Sequence, residues 1–204
     1  MLPLARQNAY RQRYKSVRPG WLPSGEQLEA LARACVRPSA RILDAGCGRG
    51  GVLELLWNDV ALSVGLDPDW ASLREHRAGF PRAQGFGDAL PLASGTFDVV
   101  FGLWLLEHLV APERVFAEIS RVLRPGGRFI ALTPNAHHPL IFANRFSWAF
   151  PAMQRVIIPR LYDRAEADTF RVRYRANTRA RLQALAARAG LRVASLRAIA
   201  DPTY

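Results

Sequence analysis

The sequence predicts an α/β protein built on a doubly wound, mainly parallel sheet flanked by helices, and three observations carry that expectation. Short apolar runs that suit buried strands alternate with stretches of helical periodicity, the order that a parallel sheet with crossover helices requires. One of those runs, Arg41-Ile42-Leu43-Asp44-Ala45, ends near an acid and passes straight into the turn Gly46-Cys47-Gly48-Arg49-Gly50-Gly51. The chain has 204 residues and is 50% hydrophobic, enough for a single domain with a sizeable core.

Residues 1 to 25 read as an N-terminal arm. Tyr10 and Tyr14 stand among Arg6, Arg11, Arg13, Lys15 and Arg18 with little apolar periodicity, as in a loose arm or a short polar helix. Ser24 and Gln27 make a capping-box pattern ahead of Leu28, Leu31, Ala32 and Cys35, which recur at helical spacing. After the first strand and the glycine turn, a helix is expected near 52 to 57. A second strand over 62 to 66 closes on Asp67, with Pro68 and Asp69 following. Residues 70 to 78 suit a helix, 83 to 86 a short third strand closing on Gly87-Asp88-Ala89, and 97 to 101 a buried fourth strand. Between 112 and 123, Val115, Phe116, Ile119, Val122 and Leu123 share one helical face, and Pro125-Gly126-Gly127 turns the chain into a fifth strand over 128 to 133. From Asn177, read as a cap, Leu182, Leu185, Ala186 and Ala189 line a last helix, which Gly190 ends before a strand over 191 to 199.

Between the fifth strand and that helix lies a helical, aromatic insertion in which Phe142, Phe146, Trp148 and Phe150 alternate with Arg145, Arg155 and Arg160. A segment of this length and composition suits a substrate cap, an interfacial helix or an extra pair of packed helices. The expected organisation is therefore a cofactor-binding core over 26 to 134, a cap over 135 to 176, and a last helix and strand over 177 to 204.

Gly46, Gly48 and Gly50 let the backbone approach a ligand where a Cβ would stand in the way, which marks a nucleotide-type cofactor site. Gly46, Gly48 and Gly51 also satisfy the dinucleotide fingerprint, so the turn by itself leaves NAD and other adenosine cofactors open. The formal net charge is +11, and every cationic side chain except Lys15 is Arg. That balance admits nucleic acid, anionic lipid or acidic substrates, but no run of like charge singles one out. Cys35 and Cys47 make no disulfide framework, which fits a reducing cytoplasm. No signal peptide is visible, and no uninterrupted apolar run approaches the ~20 residues that a spanning helix needs. A cytoplasmic protein is expected, with peripheral membrane contact left open and no metal site.

Six pieces then fall into register: Asp44-x-Gly46-x-Gly48-x-Gly50, Asp67, Gly87-Asp88-Ala89 with Leu90-Pro91, Phe97-Asp98-Val99-Val100, Glu107-His108-Leu109, and Leu123-Arg124-Pro125-Gly126-Gly127. In order and spacing they resemble the class I S-adenosylmethionine-dependent methyltransferases, in the type 11, small-molecule pattern, across residues 26 to 134. A dinucleotide-dependent dehydrogenase shares the glycines and an acid about 20 residues on, yet it does not account for Gly87-Asp88-Ala89 or Glu107-His108.

The resemblance implies a Rossmann-like sheet, S-adenosylmethionine as cofactor and methyl transfer as the reaction. It also implies roles for individual residues. Asp44 and the backbone of Gly46 and Gly48 handle the methionine part, in a turn completed by Gly50. Asp67, held next to Pro68, accepts both ribose hydroxyls, a task suited to a carboxylate because its two oxygens take two donors. Asp88 accepts from the adenine amino group while Ala89 and Leu90 give backbone and apolar contact, and Gly102 and Leu103 lie near the sulfonium. The family pattern calls for one further antiparallel strand, and the chain reaches Asp201-Pro202-Thr203-Tyr204 without room for it.

Methyl transfer is an in-line displacement from an activated donor, so alignment, exclusion of water and removal of the acceptor's proton are what remain for the protein. For an oxygen acceptor the candidate bases are His108, His137 and His138, which follow strands four and five where doubly wound sheets place ligands. His108 reads equally as a satisfied structural histidine, and His137-His138 as a solvated loop pair. The acceptor is expected to be small or lipid-like. The alternative is an RNA-modifying or nucleic-acid-binding protein that uses the Arg excess, although neither an Asn-Pro-Pro-Tyr-type signature nor an appended RNA-binding module accompanies it.

Overall fold

The computed structural model describes residues 4–139, 141 and 172–201. The chain divides into two compact units, one formed by Glu29–Pro134 with Val172–Leu196, the other by Met1–Leu28, Asn135–Arg171 and Arg197–Tyr204. The expected aromatic insertion falls mostly on 142–171, outside the described residues.

In the larger unit five parallel strands run in the order β3-β2-β1-β4-β5, with β1 at Arg41–Ala45, β2 at Leu62–Asp67, β3 at Arg82–Gln84, β4 at Phe97–Leu103 and β5 at Leu123–Leu132. The order reverses between β1 and β4, and the crevice at such a reversal, beyond the carboxyl ends of the strands, is where this kind of sheet takes ligands. Strand alternation sorts β1. Leu43 and Ala45 point into a cluster with Val115, Phe116 and Ile119 on one side, while Ile42 and Asp44 face the other.

The helix at Pro112–Val122 begins with a proline, whose missing N–H is no loss at that position, and buries Val115, Phe116, Ile119 and Val122 as expected from their spacing. The Phe116 ring meets Phe129 of β5 edge-on at 5.7 Å between centroids. β5 follows the helix directly, and its register against β4 shifts between Phe97 and Val99, where the Pro125-Gly126-Gly127 turn sits with Gly126 at φ +79°. Asp98, at that shift, accepts from the Arg41 N–H at 2.7 Å and from Arg124 Nη1 at 2.9 and 3.1 Å. Two of the six motif pieces, Phe97-Asp98 and Leu123-Arg124-Pro125-Gly126-Gly127, thus hold the sheet together.

Several expected elements change. The helix near 52 to 57 is replaced by two 3-10 turns, Val52–Leu55 and Trp57–Asp59, because Gly51 provides no side-chain cap and buried Val52, Leu53 and Leu56 pin a compact path. The helix at Trp70–Arg74 is shorter than 70 to 78. Asp69 caps it, and the chain then leaves through a bend in which the Ala78 N–H donates to His76 Nδ1. The last helix, Arg179–Arg188, is capped by Thr178, whose hydroxyl accepts from the Arg181 N–H, and not by Asn177. Residues 191–200 join no ladder where a strand over 191 to 199 is expected. Most are exposed, so little burial drives them to pair.

In the smaller unit, a polar helix covers Leu4–Val17 and a second helix starts at Ser24 and runs to Cys35. The expected capping box does not form: the Gln27 side chain donates to the Leu22 carbonyl, and its N–H donates to the Pro23 carbonyl. Tyr14 packs edge-on against Trp21 at 5.0 Å, and the Trp21 indole donates to the Ala200 carbonyl. Among the described residues, no helix is long and apolar enough to cross a membrane.

Candidate functional site

The site grows from the carboxyl ends of β1 and β2. The N–H groups of Gly46 and Cys47 both donate to the Leu66 carbonyl, at 2.7 and 3.1 Å, so the glycine turn is pinned to the end of the neighbouring strand. Gly46 and Gly48 have φ of +80° and +52°, a left-handed backbone that side chains disfavour. The Gly48 N–H then donates to Asp67 Oδ2 at 2.9 Å, and the Asp69 N–H donates to Asp67 Oδ1 at 2.8 Å. Each carboxylate oxygen of Asp67 is oriented by one backbone donor and keeps capacity for a second.

Asp44, on the adjacent strand, is 2% exposed, and its carboxyl is pushed up to about 7, first by burial and then by the charge of Asp67. Two buried acids at neighbouring strand ends suit a ligand that brings a cation and hydroxyl donors. Space is available for it, since a Cβ added at Gly48 would meet no atom within 4 Å. S-adenosylmethionine, with its positive charges and ribose diol, fits this donor and acceptor set.

The other expected residues divide. At Gly46 an added Cβ would lie 3.2 Å from Leu105 Cδ1, and at Gly102 it would meet Phe129 at 3.0 Å and Leu105 at 3.4 Å. Leu105 therefore lies over the glycine turn and joins it to the end of β4, where Gly102 and half-buried Leu103 sit. Gly50 (φ +156°) has a different neighbourhood: its missing Cβ leaves room for Glu54, which Arg77 grips through two bonds at 2.9 and 2.6 Å. Pro68 is exposed, and its carbonyl accepts from the Gln84 side chain.

Asp88 occupies a tight turn closed by the Ala89 N–H on the Phe86 carbonyl, leaving Asp88 half-buried and Ala89 exposed. Buried Leu90 is held from the helix at Pro112–Val122: its N–H donates to Glu118 Oε2 at 2.7 Å and its carbonyl accepts from Arg121 Nη2 at 3.0 Å. The end of β3 is tied to the site by the Gly85 N–H on the Asp67 carbonyl.

His108 closes a 3-10 turn, Leu106–His108, and is half-buried. His137 and His138 are exposed in a turn made by Asn135, whose side chain accepts from the His137 N–H, and they belong to the smaller unit. Glu107 is part of the Glu107-His108-Leu109 motif but has no role assigned from sequence. It is 4% exposed, and burial pushes its carboxyl up to about 7 against the opposing effects of its own backbone and of the Thr133 hydroxyl, which donates to Oε2 at 3.0 Å. The available signal was an acid embedded between Leu105-Leu106 and Leu109.

A parallel sheet with acids ending two adjacent strands around an open glycine turn defines a nucleotide-type cofactor-binding domain. Residues 43–131 match the family model described as methyltransferase domain. Over 110 residues the chain is 37% identical to a protein of Mycolicibacterium smegmatis described as a probable S-adenosylmethionine-dependent methyltransferase, covering 52% of this chain and 42% of that one. A malonyl-[acyl-carrier protein] O-methyltransferase of Enterobacter lignolyticus is 37% identical over 101 residues, 48% of this chain and 40% of that one. The fold is similar to the methyltransferase chain of a Haloferax volcanii methyltransferase–activator complex, with a TM-score of 0.68 at 19% identity over 97% of this chain and 77% of that one. Residues 43–131 are thus similar to the methyltransferase domain, and the comparable relatives are described as S-adenosylmethionine-dependent methyltransferases. The chain spans less than half the length of these two curated relatives.

Proposed function

We propose that this protein uses S-adenosylmethionine to methylate a small or lipid-like acceptor at an oxygen atom. The observation that carries the reading is the pair of buried carboxylates, Asp44 and Asp67, set around the open glycine turn. The cofactor supplies a methyl group already activated on a sulfonium sulfur. Asp67 receives the ribose hydroxyls while keeping the N–H bonds of Gly48 and Asp69. Asp44 gives up its proton and faces the cationic amino-acid end, with the Gly46 and Gly48 backbone beside it. Asp88, Ala89 and Leu90 take the adenine, on a loop that Glu118 and Arg121 hold in place. Gly102 and Leu103 border the sulfonium.

The malonyl-[acyl-carrier protein] O-methyltransferase relative supports an acyl-linked acceptor methylated at oxygen. In this reading the core over 26 to 134 binds the cofactor and the segment over 135 to 176 supplies the acceptor side, with His108, His137 and His138 as candidate bases. Incubation with methyl-labelled S-adenosylmethionine and a panel of malonyl thioesters, fatty acids, sterols and bulk RNA tests it. Base-labile label on a thioester or fatty acid is expected. Label on RNA alone would replace it with the nucleic-acid reading, which the net charge of +11 admits.

A further inference from the structure

Glu107 is a buried acid on which two separate stretches of the larger unit, the end of β5 and residues 173–177, converge. Its backbone carbonyl accepts from two consecutive N–H groups, those of Arg173 at 2.6 Å and Tyr174 at 3.0 Å. Its carboxyl accepts from Thr133, directly beyond β5, and the Thr133 hydroxyl in turn accepts from Asn177 Nδ2. Asn177 and Glu107 are 2% and 4% exposed, and half-buried Thr133 links them. The direction of donation is consistent throughout: the amide gives to the hydroxyl, and the hydroxyl gives to the acid.

Two further features mark the place. Trp104 and Tyr174 have positive φ (54° and 52°) without being glycine. Such a backbone costs free energy and persists where its surroundings over-determine it. Trp104 precedes Glu107 by one short turn and donates its N–H to the Leu132 carbonyl, and Tyr174 is one of the two residues bonded to the Glu107 carbonyl. Leu105, between Trp104 and Glu107, is the side chain that covers Gly46. A single stretch, residues 104–107, therefore touches the glycine turn at one end and the segment that enters the last helix at the other.

We propose that Glu107 is a positioning residue of the methyltransferase site, holding residues 173–177 against the carboxyl ends of β4 and β5 so that occupancy of the cofactor turn is felt by that segment. The proposal rests on the methyltransferase reading above. Glu107 acts through its neighbours: the backbone carbonyl orders Arg173 and Tyr174, and the carboxyl orders Asn177 by way of Thr133. A ligand that settles on Gly46 and Gly48 restrains Leu105, and through the short path to Glu107 it tightens the same bonds.

Amide hydrogen exchange at Arg173 and Tyr174, with and without S-adenosylhomocysteine, tests this in the full chain. In the wild type the ligand is expected to slow both amides. In Glu107→Ala both exchange at least about tenfold faster, because the relay that fixes the acceptor carbonyl is gone. Glu107→Gln, whose carboxamide oxygen still accepts from Thr133, restores most of the protection, while Thr133→Val, which cannot donate, does not. Affinity for S-adenosylhomocysteine by calorimetry stays within about twofold in Glu107→Gln and Thr133→Val, since neither side chain bonds the glycine turn. If Glu107→Ala does not fold, the comparison of Glu107→Gln with Thr133→Val decides. Equal exchange in these two variants, or ligand protection that is unchanged in Thr133→Val, overturns the proposal. Failure of the wild type to bind S-adenosylhomocysteine overturns the methyltransferase reading instead, and exchange of the ligand-free protein still reports on the relay.

Discussion

In the proposed function, Asp44 is the residue at which stability and ligand binding oppose each other. Its ordinary value of 3.8 rises to about 7 in the folded protein, so between those limits the folded state keeps a proton that the unfolded chain has released. Stability from this group is complete below the unfolded value and is lost as pH rises through the folded one, a loss on the order of 4 kcal/mol. Urea unfolding should show stability falling from about pH 4 to about pH 7, and Asp44→Asn should reduce that slope to the part contributed by Glu107. Cofactor affinity should move the other way: S-adenosylmethionine needs the carboxylate, so binding strengthens as pH rises towards 7 and releases a proton that calorimetry in buffers of different ionisation heat can count. At Asp67 the expected loss of two charge-assisted bonds in Asp67→Ala, about 2 to 4 kcal/mol of binding, is joined by a structural cost. The N–H groups of Gly48 and Asp69 lose their acceptor, so the glycine turn itself loosens. The acids at the strand ends were legible in the sequence because chemistry and spacing coincide there. The contacts of Glu107 were not, because its partners Thr133, Arg173 and Tyr174 lie far along the chain.

At the scale of elements, the two glycines of the turn make different predictions. Gly46→Ala meets both a positive φ and the Leu105 side chain, and should destabilise the fold by roughly 1 to 2 kcal/mol in thermal or urea unfolding. Gly48→Ala meets a positive φ but no neighbour, so its larger effect should be on calorimetric affinity for S-adenosylhomocysteine, whose space the methyl group enters. In the helix at Pro112–Val122, Ile119 is fully buried, and Ile119→Ala should cost about 2 to 5 kcal/mol. That helix and the strands were legible because each follows one period, 3.6 or 2, with a proline or glycine at its limit. Stretches governed by tertiary packing were not. Residues 52 to 57 carry the residue types of a helix, yet Val52, Leu53 and Leu56 are buried along 3-10 turns. Residues 191 to 199 have the apolar content of a strand and remain mostly exposed.

For the molecule as a whole, the charge of +11 predicts RNA binding that is weak, unselective and steeply salt-dependent, which a titration at rising ionic strength checks. The sheet order has a consequence for how the chain reaches this state. β1 becomes central only when β4 arrives, and the Arg41 N–H finds the Asp98 carboxylate 57 residues downstream. Until then β1 pairs with β2 alone and presents an apolar, unpaired edge to other chains, a hazard inherent in pairing that must wait for distant sequence. During synthesis the protein should therefore pass through an interval of vulnerability: a ribosome-stalled chain of which only residues before 97 have emerged should be cut readily by protease, and the complete chain, with Leu185 and Ala186 in its core, should resist.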